Sequence, residues 1–259
     1  MRRISLAIAV AVFIFSSSSG SALDRPPSLP SLAGEHLEFQ IRWGVIPAGE
    51  ASLRVIDAGD GRLTFRAEAR SLPYIDTIYP VRDLIESTLL LDGSRVLRYF
   101  KRSKEGPSQE REEEVLFDTA QGTARLFKTG KPPKTLLVPP RVQDPLSCFY
   151  YYRSLDLPAD QETTIDITDG AKLTTGTVRI IGREQVETPA GVFRCVIVEP
   201  KIEGIGGVFR KSPGARILLW LTDDAWRRPV KLQSKVVIGH FTAELIRGAT
   251  PEPAPPNHE

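Results

Sequence analysis

The chain has 259 residues, with 34 Lys and Arg against 32 Asp and Glu, and it is 41% hydrophobic and 25% charged. That composition is ordinary for a globular protein and excludes a polytopic membrane protein, a disordered charged chain and a cysteine-dense mini-scaffold. The first 22 residues hold two Arg and no acid, so the remainder carries 32 basic side chains against 32 acidic ones, and bulk-charge binding to nucleic acid loses its basis.

The N-terminus reads as a cleavable export signal over residues 1–22. Arg2 and Arg3 form the positive region. The segment Ile4–Phe15, apolar but for Ser5, is too short to span a bilayer, and Gly20-Ser21-Ala22 fits a small-x-small cleavage site. The reading is an exported, periplasmic protein with no membrane span after cleavage. Residues 23–33 are a Pro-rich linker, 34–248 a single β domain, and 249–259 a Pro-rich disordered tail.

Within the domain the dominant period is two. Leu37, Phe39, Ile41 and Trp43 alternate with Glu38, Gln40 and Arg42. Leu63, Phe65, Ala67 and Ala69 alternate with Thr64, Arg66, Glu68 and Arg70. Val230, Leu232, Val236 and Ile238 oppose Lys231, Gln233 and Lys235. One wet and one dry face mark antiparallel sheet. Turn signals recur at Asp60-Gly61, Asp92-Gly93, Gln121-Gly122, Asp169-Gly170 and Ala190-Gly191. About a dozen strands fit the domain on this pattern. The mixed-charge run 101–114 reads as a solvated hairpin tip around Gly106-Pro107.

One stretch breaks the period. Asp144 and Pro145 are an N-cap and first-turn pair, and Pro158 stops the chain, which predicts a helix over 145–157. A shorter helical turn is expected at Leu72–Tyr79. The long helix is apolar on most sides and should be buried. The strands around Val192–Val198 and Ile217–Leu221 are apolar on both faces and each needs a cover. The expected architecture is a strongly curved antiparallel sheet, an open half-barrel or barrel-like, with this one helix covering it. Leu146, Phe149, Tyr150 and Tyr152 should lie against the concave face, with Phe193, Ile197, Leu218 and Trp220 supplying part of it; the sequence does not fix which face of these two strands is concave. Leu146, Phe149, Tyr150, Tyr152 and Trp220 are then the candidate lining of an apolar ligand groove.

Catalytic material is scarce. The two Cys, Cys148 and Cys195, are 47 positions apart and do not have zinc spacing. In an oxidising compartment they are either a disulfide or two buried thiols. No phosphate loop or nucleophile elbow occurs, and EGIGGVFRKSPG reads as a flexible connection. His36 and His240 could meet if the first and last strands approach. Asp223-Asp224 reads as a turn, neutralised locally by Arg227 and Arg228. No metal, cofactor or catalytic residue is assigned.

Four stretches resemble the bacterial exported family known as domain of unknown function 3108. They are GEHLEFQIRWGVIPAGEASLRV, DPLSCFYYYRSLDL, ETPAGVFRCVIVEP and ILLWLTDDAWRRPVKLQSKVVIGHFTAEL. The resemblance implies a periplasmic, mainly β protein with no assigned reaction. The expected shape is also similar to the open half-barrels of periplasmic lipoprotein carriers, a likeness of fold alone. Three functions follow as expectations. The first is a non-enzymatic carrier of a lipid, acyl chain or lipidated protein in the concave sheet. The second is an envelope assembly or protein-interaction factor with a filled core. The third is a hydrolase.

Overall fold

The computed structural model describes residues 32–91, 95–118, 120–155, 162–201, 216–235 and 239–249. The export signal, the EGIGGVFRKSPG stretch and the tail beyond Ala249 lie outside them.

Fourteen strands form one antiparallel sheet. Chain order is β1 (His36–Trp43), β2 (Ile46–Gly59), β3 (Arg62–Ser71), the short α1 (Pro73–Asp76), β4 (Val81–Leu90) and β5 (Val96–Glu105). Then come β6 (Arg111–Asp118), β7 (Thr123–Lys128), β8 (Lys131–Leu137) and α2 (Pro145–Ser154). The last group is β9 (Thr163–Thr168), β10 (Leu173–Thr188), β11 (Gly191–Lys201), β12 (Ile217–Thr222), β13 (Pro229–Lys235) and β14 (His240–Ala249). Two meanders, β1–β8 and β9–β14, are joined edge to edge where β1 pairs with β14.

The alternation in sequence maps onto burial. On β1, Leu37, Phe39 and Ile41 are buried, and on β4 Val81, Asp83, Ile85, Ser87 and Leu89 are. The charge run is the β5–β6 hairpin, turning at Gly106 with φ +60°. There the left-handed backbone favours glycine.

Among the described residues the outer strands β8 and β9 do not pair with each other. They are nevertheless drawn together. A Cβ on Gly170, in the β9–β10 turn, would stand 2.7 Å from Val115 Cγ2 on β6 and 3.0 Å from Leu126 Cβ on β7. Lys134 on β8 donates to the Ala171 carbonyl of the same turn. Lys131, Pro132 and Pro133 on β8 are all exposed, a pattern that blunts a free strand edge.

The structure moves several sequence boundaries. Leu32, assigned to the linker, is 0% exposed and packs in the largest core. Its carbonyl accepts from Glu35 N, and Gly34 N donates to Val55 O at 2.8 Å, so the folded domain includes Leu32 and Ala33. Helix α2 ends at Ser154, with Leu155 already extended at ψ 145°. His36 and His240 do not meet. The β1–β14 ladder is antiparallel, so His36 lies opposite Ala249 and the other end of β1, Trp43, lies opposite Phe241.

Candidate functional site

Helix α2 enters the core through a capping box. Asp144 is fully buried, and its carboxylate accepts from Leu146 N at 2.8 Å and Ser147 N at 3.0 Å. Ser147 Oγ in turn accepts from Asp144 N at 2.9 Å. Such a cap stabilises a helix by about 1 kcal/mol. Ser87 on β4 donates a further hydrogen bond to Asp144. Burial raises the pKa of this carboxyl, and the hydrogen bonds to it pull the other way.

Beyond the cap, α2 divides its side chains between two cores. Leu146 and Tyr150 join the core built on β2–β7. Cys148 and Tyr152 join Ile165, Ile167, Val178, Val196, Val198, Leu219 and Leu221. Phe149 is partly buried between the two. The Tyr150 ring stacks on Phe65 with centroids 3.8 Å apart and planes 11° from parallel, and Phe149 meets Tyr150 edge-on at 5.3 Å.

At the C-terminal end of α2 stands a group with no signal in the sequence pattern. Arg153 and Glu35 are 1% and 0% exposed in their side chains. They form a two-pronged pair, Nη1 to Oε1 at 2.7 Å and Nη2 to Oε2 at 2.6 Å. Arg153 also donates to the carbonyls of Trp226 and Arg227, each at 3.1 Å. Its guanidinium lies 5.1 Å from the Tyr150 centroid. One side chain thus ties the helix, the segment just before β1 and the β12–β13 turn together.

The facing strand residues differ from those expected. Register sets Val196 opposite Leu221 and Val198 opposite Leu219, with Ile197 opposite Trp220. Alternation puts the first set on one face and the second on the other. Val196, Val198, Leu219 and Leu221 pack with α2. Trp220 turns away, into a third core with Leu37, Phe39, Val186, Cys195, Val230 and Leu245, where its Nε1 donates to Glu184 at 2.5 Å. Trp220 therefore does not share a groove with Phe149 and Tyr152. The same parity separates the cysteines. Both are free and buried, Cys148 on the α2 side and Cys195 on the opposite face of β11, so no disulfide joins them. Burial pushes the Cys148 thiol well up and the Cys195 thiol to about 11, which keeps both protonated and unreactive.

A groove of about 730 Å³ lies elsewhere, on the polar face of β14, β1, β2, β3, β4 and β5. Glu38, Ser52, Glu68, Leu84 and Arg102 stand side by side across it in register. Its charges are interlaced: Arg70 with Glu50 and Arg247 with Glu38, each at 2.6 Å. Beneath it Asp83 faces the interior, in register with Ala69 and Ser103. Desolvation, with Glu105 adding repulsion, raises its pKa to about 7. Charges of both signs on alternate strand positions were the available signal for this groove, but they read equally as a solvated face. Asp223 and Asp224 form a turn, as expected: Asp224 Oδ1 accepts from Trp226 N at 2.9 Å and Arg227 N at 3.0 Å. Asp223 also pairs with Arg183 on β10, at 3.3 Å. Among the described residues no group of three His, Cys, Asp or Glu could hold a metal ion.

These features define a mainly β protein with, among the described residues, one sheet and two helices, the longer helix packed into its cores. The chain belongs to the family described as protein of unknown function (DUF3108), whose sequence model matches residues 38–246. It is similar in fold to a β-barrel-like protein of domain of unknown function DUF1849 from Brucella abortus. That match has 10% identity and a TM-score of 0.56, covering 85% of this chain and 99% of that one. A "putative lipoprotein" from Parabacteroides distasonis aligns at 10% identity and a TM-score of 0.35, over 87% of this chain and 100% of that one. A "putative exported protein with YmcC-like fold" from Bacteroides fragilis aligns at 10% identity and a TM-score of 0.35, over 86% and 98%. The last two scores are too low to bear on the fold. No curated protein matches the chain.

Proposed function

We propose that this is a non-enzymatic protein of the periplasm that works through its outer surface, as an envelope assembly or protein-interaction factor. In this reading the sheet curls around α2, and the interior is filled rather than open to a ligand. The observation that carries it is the Tyr150 ring stacked at 3.8 Å on Phe65. That ring, with the fully buried Leu146, occupies the place where an acyl chain would lie. A lipid carried there would have to displace the Tyr150 ring, and loss of a buried aromatic costs about 3–5 kcal/mol.

The approach of the β9–β10 turn to β6 and β7 supports the curl. The N-terminal signal pattern supports the compartment. The polar groove is the surface offered to a partner: it is open, broad and lined by paired charges, which suit an extended polypeptide better than an apolar molecule. Native mass spectrometry on protein purified from its own envelope tests the proposal. A stoichiometric protein partner and no bound lipid is the expected result. A stoichiometric lipid in the absence of a partner would overturn it.

A further inference from the structure

At one end of the sheet the β1–β2 turn holds apolar side chains out to solvent. Trp43 is 41% exposed, Val45 81% and Ile46 46%. Turn tips ordinarily carry Gly, Asn, Asp or Ser, and here only Gly44, with φ +57°, meets that pattern. Beside this turn lies the α1 connection, where Tyr74 is 51% and Ile78 81% exposed.

The tip is held rigidly on both flanks. On the first, Trp43 stacks on Phe241 of β14 with centroids 6.4 Å apart, and Gly44 N donates to His240 O at 3.0 Å. On the second, Tyr74 donates its hydroxyl to the Pro47 carbonyl, and Leu72 N donates to Ala48 O at 3.0 Å. Such bracing does not bury Val45, Ile46 or Ile78. The structure spends hydrogen bonds and a ring stack on keeping an apolar tip in place and wet.

Charge at the tip is one-sided. Arg42 curls over the turn and donates to Val45 O at 2.8 Å. Lys235 lies opposite the exposed His240 in register. Neither Arg42 nor Lys235 is ion-paired among the described residues. The nearby acids Glu50 and Asp76 are engaged, by Arg70 and Arg82. The excess is therefore positive. A protruding apolar tip with Trp and Tyr at its base and cations beside it matches the chemistry of a lipid interface. Apolar side chains enter the acyl boundary, aromatic rings sit at headgroup depth and cations meet phosphates.

We propose that this end of the sheet docks on the surface of an anionic phospholipid bilayer. Val45, Ile46 and Ile78 enter the headgroup–acyl boundary, and Arg42 and Lys235 face the phosphates. The docking is peripheral and reversible, and it leaves the polar groove free.

Vesicle flotation tests this with phosphatidylethanolamine–phosphatidylglycerol bilayers against phosphatidylcholine bilayers. The protein should float with the first and remain largely free with the second. Val45→Asp should lower the vesicle-bound to free ratio about tenfold. Arg42→Gln with Lys235→Gln should remove the preference for the anionic bilayer and its salt dependence. Val45 is exposed, so thermal unfolding of Val45→Asp should match the parent; Arg42 is half-buried and loses its bond to Val45 O, so the double variant should unfold slightly earlier while remaining folded at the assay temperature. Emission from Trp43, assigned by difference from Trp43→Phe, should shift to the blue on binding. Equal flotation of the parent and Val45→Asp would overturn the proposal, because an apolar N-terminus shared by both proteins would then be responsible. Failure of the parent to float would overturn it too. So would a self-association that Val45→Asp dissolves without any vesicle binding, since the occupant would then be a second copy of the chain.

Discussion

Replacing Arg153 by Met keeps the inner apolar stem of the side chain and removes the guanidinium with its charge and its donors. Glu35 would then be left fully buried, with no partner for its carboxylate. Breaking a buried ion pair from one side costs about 3–5 kcal/mol. The Trp226 and Arg227 carbonyls lose their donors in the same step, at about 1 kcal/mol or more each if water cannot reach them. The total is on the order of 5 kcal/mol, comparable with the whole stability of many domains. Urea unfolding at neutral pH, followed by tryptophan emission, measures it. The double variant Glu35→Leu with Arg153→Met should recover most of the loss, because a buried pair replaced by apolar groups is close to neutral. Added salt should change the parent little, since the pair is shielded from solvent ions. A loss below about 1 kcal/mol for Arg153→Met would refute the reasoning, because an uncompensated buried carboxylate cannot be so cheap.

The Tyr150 hydroxyl is buried and has no hydrogen-bond partner. Tyr150→Phe should therefore be neutral or slightly stabilising in the same assay, whereas Tyr150→Ala should lose about 3–5 kcal/mol. Asp83 has a folded pKa of about 7, above its unfolded value. It therefore favours folding while protonated, and that contribution is lost as pH rises from about 4 through about 7. Asp83→Asn should flatten the fall in stability over that window and stabilise the protein most at pH above it, by up to about 4 kcal/mol, as pH-dependent denaturant curves would show. A flat parent profile would contradict it. Thiol titration of unfolded, unreduced protein should count two free thiols, because Cys148 on α2 and the Cys195 side chain lie on opposite sides of β11. N-terminal sequencing of protein from the envelope should begin at Leu23, and retention of Met1 would contradict the export reading.

Where one strand face is wet, the residues announced the structure. The alternation of Leu37 to Ile41 and of Leu63 to Ala69 carried both the strands and the correct buried side, while Trp43, at the end of the first series, is 41% exposed because it stands at the turn. Asp144-Pro145 marked the helix start because capping is local chemistry. Parity failed at Val192–Val198 and Ile217–Leu221. With both faces apolar, nothing local distinguishes the face that meets α2, and Trp220 lies on the other one. Leu32 was hidden by its Pro and Ser neighbours. The Glu35–Arg153 pair spans 118 positions. An ionised side chain gives no sign in sequence that its partner arrives from so far away. The polar groove was equally unreadable, since paired charges on a sheet face look the same whether the face is convex or hollow.

The β1–β14 ladder has a consequence for how the chain reaches this state. Each meander can zip up from neighbouring hairpins, whose contacts are close in sequence and form quickly. The seam between the meanders cannot. One flank of β1 stays unsatisfied until residues 240–249, the last strand of the chain, have arrived. The first strand to emerge is thus among the last to be completed. During that interval its open backbone edge is a template for another chain. The outward side chains along it, Glu38, Gln40 and Arg42, put charge and polarity beside that edge. They offer protection in the half-built protein as well as solubility in the finished one.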